Sequence, residues 1–199
     1  MDNYRNEMDI YEVHISEGKR LYIQLSPLEN DADWAGLEAR LSGHEDAARA
    51  NPFQRIGYFR QLWEQFGEGE AVYSMLISDE EKRIIASGVF RRYRVKKSRL
   101  KLKVLRSYDT NFFMYTPPFS VLPGYEQQVA EGIAGAAGWI RRRTQSDIMG
   151  FYRSEIRSAE RYRQTFLGLG KYGRISPVTQ ASAFRINGDV ESFLSNEKK

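Results

Sequence analysis

Segments with the apolar period of a helix alternate along this chain with segments that have the period of a strand. Four large side chains follow the i, i+3, i+4, i+7 spacing of a buried helix face: Phe59, Leu62, Trp63 and Phe66. The runs 71–77 and 83–94 come next and are typical of strands, with a charged turn between them. This order predicts an α/β (α+β) domain with a mixed sheet and helices packed on it.

The same pattern analysis places the other elements. Further strands are predicted at 10–15, 20–25, 99–107, 111–116, 147–152 and 181–186. Further helices are predicted from a cap at Asp33, from Asn51-Pro52, and over 125–143 and 158–169. The predicted core of these helices, against a sheet of at least five strands, comprises Trp34, Phe59, Leu62, Trp63, Phe66, Ile133 and Ile140.

Several classes of site are excluded by composition. The chain has 199 residues and no cysteine, so disulfides, zinc–cysteine sites and thiol catalysis are excluded. Its two histidines, His14 and His44, have no metal-ligand spacing, and each is interpreted as structural, His14 in a strand and His44 in a loop. We expect no metal, no signal peptide, no membrane span and a cytoplasmic location.

Charge is distributed unevenly along the chain. Residues 1–90 hold 9 Lys/Arg against 17 Asp/Glu, a net of −8, and residues 91–199 hold 21 against 9, a net of +12. The candidate basic surface comprises Arg91, Arg92, Arg94, Lys96, Lys97, Lys101 and Lys103. Such a density can contact the phosphates of a nucleic acid such as RNA, of anionic lipid or of a nucleotide cofactor. Alternation of apolar and basic residues over 100–104 favours a half-buried strand instead, so nucleic acid is the weaker interpretation.

No known catalytic signature occurs in the sequence. Glycine-rich nucleotide loops and a Gly-x-Ser-x-Gly elbow are both missing. Asp109 follows the basic segment between Tyr108 and Thr110, where a carboxylate serves either as a base or substrate anchor or as an ordinary turn residue. Asp109 and Tyr115 are the candidates for an acceptor site.

The spacing of the aromatic residues resembles one known family. Trp34 and Leu37, then Asn51-Pro52-Phe53-Gln54 leading into Tyr58-Phe59-x-x-Leu62-Trp63-x-x-Phe66-Gly67, resemble the opening of the CelD-like acyltransferases. These enzymes belong to the GNAT superfamily and are related to the Fem-type transferases. The later order of strands, Pro-rich loop and long helix is also similar, and the resemblance covers nearly the whole chain.

This resemblance implies a GNAT-like, largely antiparallel sheet flanked by helices, as the first domain of a two-domain N-acyltransferase. It implies one domain over 1–186, with 187–199 as a terminal helix or the start of a connection. The implied reaction moves an acyl group from CoA to an amine or hydroxyl acceptor in cell-envelope or polysaccharide biosynthesis. Whether this chain is itself an enzyme stays open at this point.

The family's CoA pyrophosphate motif, Gln/Arg-x-x-Gly-x-Gly/Ala, is not found at any Gly-x-Gly or Gly-x-Ala of this chain. We therefore expect no cofactor bound by this chain alone. The alternative function is a non-catalytic substrate-recognition or protein-interaction module. The apolar segment 150–194 predicts self-association or pairing with a second acyltransferase half.

Overall fold

The computed structural model describes residues 9–50, 55–63, 71–94, 110–114, 119–145 and 148–151, together with residues 161, 164, 165 and 167 in helical conformation. The strands are β1 (Asp9–His14), β2 (Arg20–Pro27), β3 (Ala71–Ser78), β4 (Ile84–Arg94), β5 (Thr110–Met114), β6 (Ser120–Val121) and β7 (Ile148–Phe151). The α-helices are α1 (Asp31–Arg40), α2 (His44–Ala47), α3 (Ile56–Trp63) and α4 (Glu126–Thr144), and a 3-10 turn spans Ser16–Gly18.

All seven strands form a single sheet. Its order is β1-β2-β3-β4-β5-β7, and β6 pairs with β4 beyond the end of β5. Every pairing is antiparallel except that of β5 with β7, which is parallel because α4 connects the two strands as a crossover. The predicted α/β class, with a mixed and largely antiparallel sheet flanked by helices, is confirmed.

Helices cover both faces of this sheet. On one face α4 packs on β1, β2 and β4, around Ile133, Ile140 and Phe90. On the other face α1 and α3 pack over β3 and β4, around Trp34 and Phe59. Alternate residues of the central strands therefore serve two separate apolar layers, as the period of a strand requires.

The predicted core is confirmed where the structure describes it. Trp34, Ile133 and Ile140 are fully buried, and Phe59 is buried. Leu62 and Trp63 belong to α3, but their side chains, like Phe66, lie outside the described residues. The apolar segment expected at 150–194 also lies almost wholly outside them.

The start of α1 differs from the prediction. Asn30, not Asp33, is the N-cap, and its side chain accepts hydrogen bonds from the backbone N–H groups of Ala32 and Asp33. The Asp33 carboxylate accepts in return from the Asn30 backbone N–H, at 3.2 Å. This reciprocal pair of hydrogen bonds is a capping box. Asp33, which the sequence predicted as the cap, is the third residue of the helix.

Other boundaries also differ. The short helix α2 and the strand β6 were not predicted. Of the predicted strand 111–116, the structure describes 111–114 as part of β5, and 115 and 116 lie outside the described residues. His44, expected in a loop, is the first residue of α2. The predicted strands 99–107 and 181–186 lie outside the described residues. Within the part of the chain that the structure describes, no helix is long and apolar enough to cross a membrane.

One carboxylate attaches the β1–β2 turn to α4. The backbone N–H and the hydroxyl of Ser16 donate to Glu131 Oε2 at 2.9 and 2.6 Å, and Gln127 donates to Oε1 at 3.0 Å. Partial burial on its own would raise the pKa of Glu131, but these hydrogen bonds outweigh it and lower the pKa below the ordinary 4.5.

The substitution Glu131→Gln is expected to weaken the acid sensitivity of folding. A carboxyl whose pKa is lower in the folded chain stabilises it above the unfolded value, and that contribution is lost as pH falls through the folded value. Urea midpoints at pH 6 and pH 3 should therefore fall less in Glu131→Gln than in the parent chain. The exposed Glu29→Gln is the matched control; equal acid sensitivity in the two variants would contradict this role.

Candidate functional site

The ladder along one edge of β4 is interrupted. β4 pairs with β5 as far as Phe90–Met114, and then with β6 from Ser87–Ser120. Between these pairs β4 has two residues, Gly88 and Val89, whereas the chain opposite has five, 115–119. Three extra residues cannot fit an unbroken ladder, so the register along this edge of β4 shifts by three residues between the two pairings, as at a large bulge.

A small cleft lies against this break. Gly88 and Val89 have Cα partners on β3, but among the described residues they have none on the β5–β6 side. The residues lining the cleft come from β3, β4 and the three helices of one face: Leu37, Leu41, Glu45, Ile56, Leu76, Ser87, Gly88 and Val89. The space between them is no larger than one water molecule. In this conformation the described residues leave no room there for a substrate.

Buried polar groups lie beside this break in the ladder of β4. Ser87 and Ser120 are cross-strand partners with 4% and 2% of their surface exposed. The Ser120 hydroxyl has no hydrogen-bond partner in the part of the chain that the structure describes. A buried hydroxyl without a partner is costly in an apolar layer, so among the described residues the Ser120 hydroxyl does not stabilise the fold.

His44 contacts the backbone of β6. Its Nε2 lies 3.3 Å from the carbonyl oxygen of Ser120, which can only accept, so Nε2 carries the hydrogen of this bond. Burial lowers the pKa of His44 below 6.5, although hydrogen bonds to the backbone of Ser120 and Ile84 and the charge of Glu45 act in the opposite direction. The imidazole is therefore neutral at pH 7 and links α2 to the sheet.

Glu45, next to this histidine, holds the start of α3. Its Oε1 accepts the backbone N–H of Ile56 at 2.6 Å, which satisfies one of the unpaired N–H groups of that helix end. Asp46 pairs with Arg55 at 2.7 Å, but this pair is exposed to solvent and adds little. The short helix α2 is thus attached to β6 by one side chain and to α3 by another.

The start of α4 carries a negatively charged side chain. It begins after Gly124, at φ 90°, and Tyr125, whose side chain makes no cap. The Glu126 carboxylate accepts the backbone N–H of Gly124 at 3.1 Å. This carboxylate brings negative charge to the helix end where a phosphate would need unpaired N–H groups and positive potential. Arg83 donates to the Tyr125 hydroxyl and lies 5.1 Å from its ring.

The acceptor-site candidates predicted from sequence fall outside the described residues. Asp109 and Tyr115 are the sequence neighbours of Thr110 and Met114, the two ends of β5. The role of both residues stays a prediction.

One residue of the predicted basic surface has a described contact. Arg92 is half-buried and donates to the carbonyl oxygen of Thr144 at the end of α4, at 3.2 Å. A cation at a helix carboxyl end is favourable for the helix dipole. The side chains of Arg91 and Arg94, and the whole of Lys96, Lys97, Lys101 and Lys103, lie outside the described residues.

The histidine, the two serines and Glu45 were not predicted as a group. His44 and Ser120 are 76 residues apart, and their contact depends on a strand of two residues that no periodicity indicates. The available signal was Pro117-Pro118, because proline cannot donate to a ladder. No group of three or more His, Cys, Asp or Glu side chains suited to a metal occurs among the residues that the structure describes.

No family model and no curated protein sequence matches this chain. Among solved structures, it is similar to the crystal structure of an aminoglycoside antibiotic 6'-N-acetyltransferase from Acinetobacter baumannii. The sequence identity is 12%, the TM-score is 0.43, and the similarity covers 84% of this chain and 99% of that chain. A similarity this distant adds nothing to what the strand order itself shows.

Proposed function

We propose that this chain is a GNAT-like acyltransferase domain of the CelD-like or Fem-type kind, corresponding to the first half of such an enzyme. The reaction would move an acyl group from CoA to an amine or hydroxyl acceptor in cell-envelope or polysaccharide biosynthesis. The observation that carries this proposal is the break in the ladder opposite Gly88 and Val89, beside the parallel pair β5–β7 and its crossover helix.

The chemical argument concerns the edge of β4. Acyl transfer needs fixed hydrogen-bond donors near a carbonyl oxygen that becomes negatively charged, and backbone N–H groups are well suited because they do not reorganise. Two residues of β4 face five residues of the opposite chain here, and this register leaves a backbone N–H at that edge of β4 that a ligand can use. The small polar cluster of Ser87, Ser120 and His44 lies beside this edge, on the face covered by α1 and α3.

We further propose that the chain recognises the acceptor rather than CoA. Glu126 at the start of α4 opposes a phosphate, and the sequence offers no glycine cradle. Glu45 lines the cleft over β4, and its carboxylate would favour a cationic amine over a neutral hydroxyl.

Thermal unfolding with a panel of simple amines and amino sugars tests this function. A ligand that binds the folded chain raises the midpoint by mass action, worth about 2.7 kcal/mol at a hundred times its Kd. We expect a rise that Ser87→Val removes and Ser78→Val keeps, since both substitutions replace a strand serine but only Ser87 lines the cleft. No rise with any amine would contradict the proposal.

Acetyl-CoA is expected to bind the chain weakly or not at all. Calorimetry at micromolar concentrations should show no binding, because the start of α4 carries a carboxylate. Release of CoA thiol can be followed with a thiol reagent without background, since the chain has no cysteine. Micromolar binding of acetyl-CoA, or release of CoA thiol in the presence of an amine, would show that the chain is an enzyme by itself. Either result would overturn the proposal that it recognises the acceptor rather than CoA.

A second candidate function is a non-catalytic recognition or protein-interaction module. The same carboxylate at the start of α4 favours it, because a domain that never binds CoA has no use for a phosphate site. Failure of both the amine panel and acetyl-CoA would leave this candidate, and co-purification with a defined partner chain would then be its test.

A further inference from the structure

The strand β1 forms one edge of the sheet, and among the described residues it pairs with β2 alone. The Ile15 N–H donates to the carbonyl oxygen of Lys19 at 3.0 Å, so these residues are a hydrogen-bonded pair of the hairpin. Such pairs alternate along an antiparallel ladder, so every second residue of β1 bonds to β2 and the others direct their backbone N–H and C=O groups away from the sheet. The residues with outward groups are Ile10, Glu12 and His14.

This edge lacks several devices that keep sheet edges apart. Edge strands are commonly protected by lysine, by proline or by a bulge. β1 has the sequence DIYEVH, and its register with β2 is unbroken from end to end. Ile10 is 54% exposed, the most exposed large apolar side chain among the described residues. The edge is therefore open to a further extended strand.

An aromatic pair lies at the same edge, on the face that α4 covers. Tyr11 stacks on Trp139, with ring centroids 5.2 Å apart, and both side chains are half-buried. Gly135, about one turn before Trp139, lets α4 lie close to Val13 on β1. The part of the Tyr11–Trp139 pair that remains exposed is an apolar surface that a strand added to the edge would cover.

A second copy of the same strand can pair with β1 in few registers. Each side chain keeps its face of the sheet only if residues placed opposite each other differ by an even number. Two such registers overlap by five residues of β1. One places Glu12 opposite Glu12, and like charges directly opposite are destabilising. The other places Tyr11 opposite Tyr11 and Ile10 opposite Glu12, whose carboxylate keeps its ion pair with Arg20 at 3.6 Å.

We propose that β1 pairs with β1 of a second copy of this chain, antiparallel and about a twofold axis at Tyr11, so that the two sheets become continuous. Ile10 and Glu12 of each copy then form hydrogen-bonded pairs, and the two Tyr11–Trp139 stacks meet at the axis. This surface is distinct from the segment 150–194, and the proposal holds whether or not the domain transfers acyl groups.

Sedimentation equilibrium of the whole chain, from low to high micromolar concentration, tests this with two variants of one residue. Glu12→Pro removes an outward N–H and no bond to β2, so each copy loses a donor to the other and dimerisation should weaken at least about tenfold. Glu12→Ala loses the same carboxylate but keeps the N–H, and it should dimerise at least as well as the parent chain. A monomeric parent chain, or a dimer that Glu12→Pro leaves unchanged, would overturn the proposal.

A single introduced cysteine tests the register, also if Glu12→Pro does not fold. The chain has no cysteine of its own. In Tyr11→Cys the two Cα atoms at the axis would be about 4.5 Å apart, within the range of a disulfide. In His14→Cys they would be about 20 Å apart. Air oxidation should therefore cross-link Tyr11→Cys and not His14→Cys, as seen on a non-reducing gel. Equal cross-linking of the two variants, or none in Tyr11→Cys, would contradict the pairing.

Hydrogen exchange distinguishes a second copy from another segment of the same chain on this edge. The outward amides of Ile10 and Glu12 should be protected at high concentration and should lose protection on dilution. The amide of Leu28, which bonds to Val72 at 2.9 Å away from β1, should keep its protection throughout. Protection of Ile10 and Glu12 that does not change on dilution to the monomer would show that the chain covers its own edge, and the proposal would be wrong.

Discussion

Replacing Trp34 with alanine is expected to lower the free energy of unfolding by about 3–5 kcal/mol, the range for deleting a fully buried large aromatic side chain. Trp34 is 0% exposed and lies at the centre of the apolar layer between α1, α3 and the sheet. Since a domain of this size is stable by only about 5–15 kcal/mol, the variant should be close to unfolding at 37 °C. Urea denaturation followed by circular dichroism measures the loss.

Trp139 provides the matched comparison. It is half-buried on α4 and stacks on Tyr11, with ring centroids 5.2 Å apart. Trp139→Ala should cost clearly less than Trp34→Ala because solvent already reaches one side of the ring. Trp34→Phe, which keeps most of the apolar volume, should lie between the two. Equal losses of unfolding free energy for Trp34→Ala and Trp139→Ala would show that the apolar layer between α1, α3 and the sheet contributes less to stability than its burial implies.

An element of the fold could be predicted where the apolar residues of a single segment follow the period of a helix or a strand. Trp34 and Leu37 lie three residues apart on α1, and both are buried. The predicted cap, Asp33, lies three residues after the observed cap, Asn30. Both are good cap residues, and only the backbone geometry decides which side chain accepts the N–H groups of the first turn. α2 was not predicted because a segment of four residues is too short to show the apolar period of a helix.

The candidate site depends on a different kind of information. The break opposite Gly88 exists because two registers along β4 differ by three residues, and register between strands is set by tertiary packing. His44 was interpreted as structural on its own, and its contact with Ser120 cannot be inferred from either sequence neighbourhood. The sequence has no glycine cradle for a pyrophosphate, and the weak binding of CoA expected from this stays a prediction.

Gly135→Ala is the second large change: overpacking is expected to cost about 1–3 kcal/mol of stability, of which the better helix propensity of alanine offsets about 1 kcal/mol. A Cβ at Gly135 would lie 2.5 Å from Cγ2 of Val13 on β1, far inside van der Waals contact. Val13 is 6% exposed and β-branched, so its side chain can neither rotate freely nor move into solvent. The glycine lets α4 approach β1 this closely, and thermal unfolding measures the loss.

Gly138→Ala on the same helix is the control, because a Cβ there would meet Arg142 at 3.6 Å, an ordinary contact. Alanine is a better helix former than glycine by about 1 kcal/mol, so this variant should be slightly more stable than the parent chain. In a Val13→Ala background the clash is removed, and adding Gly135→Ala should then cost nothing or stabilise. This double-mutant cycle isolates the contact between α4 and β1. If Gly135→Ala were as stable as Gly138→Ala, α4 would have to lie farther from β1 than the structure places it.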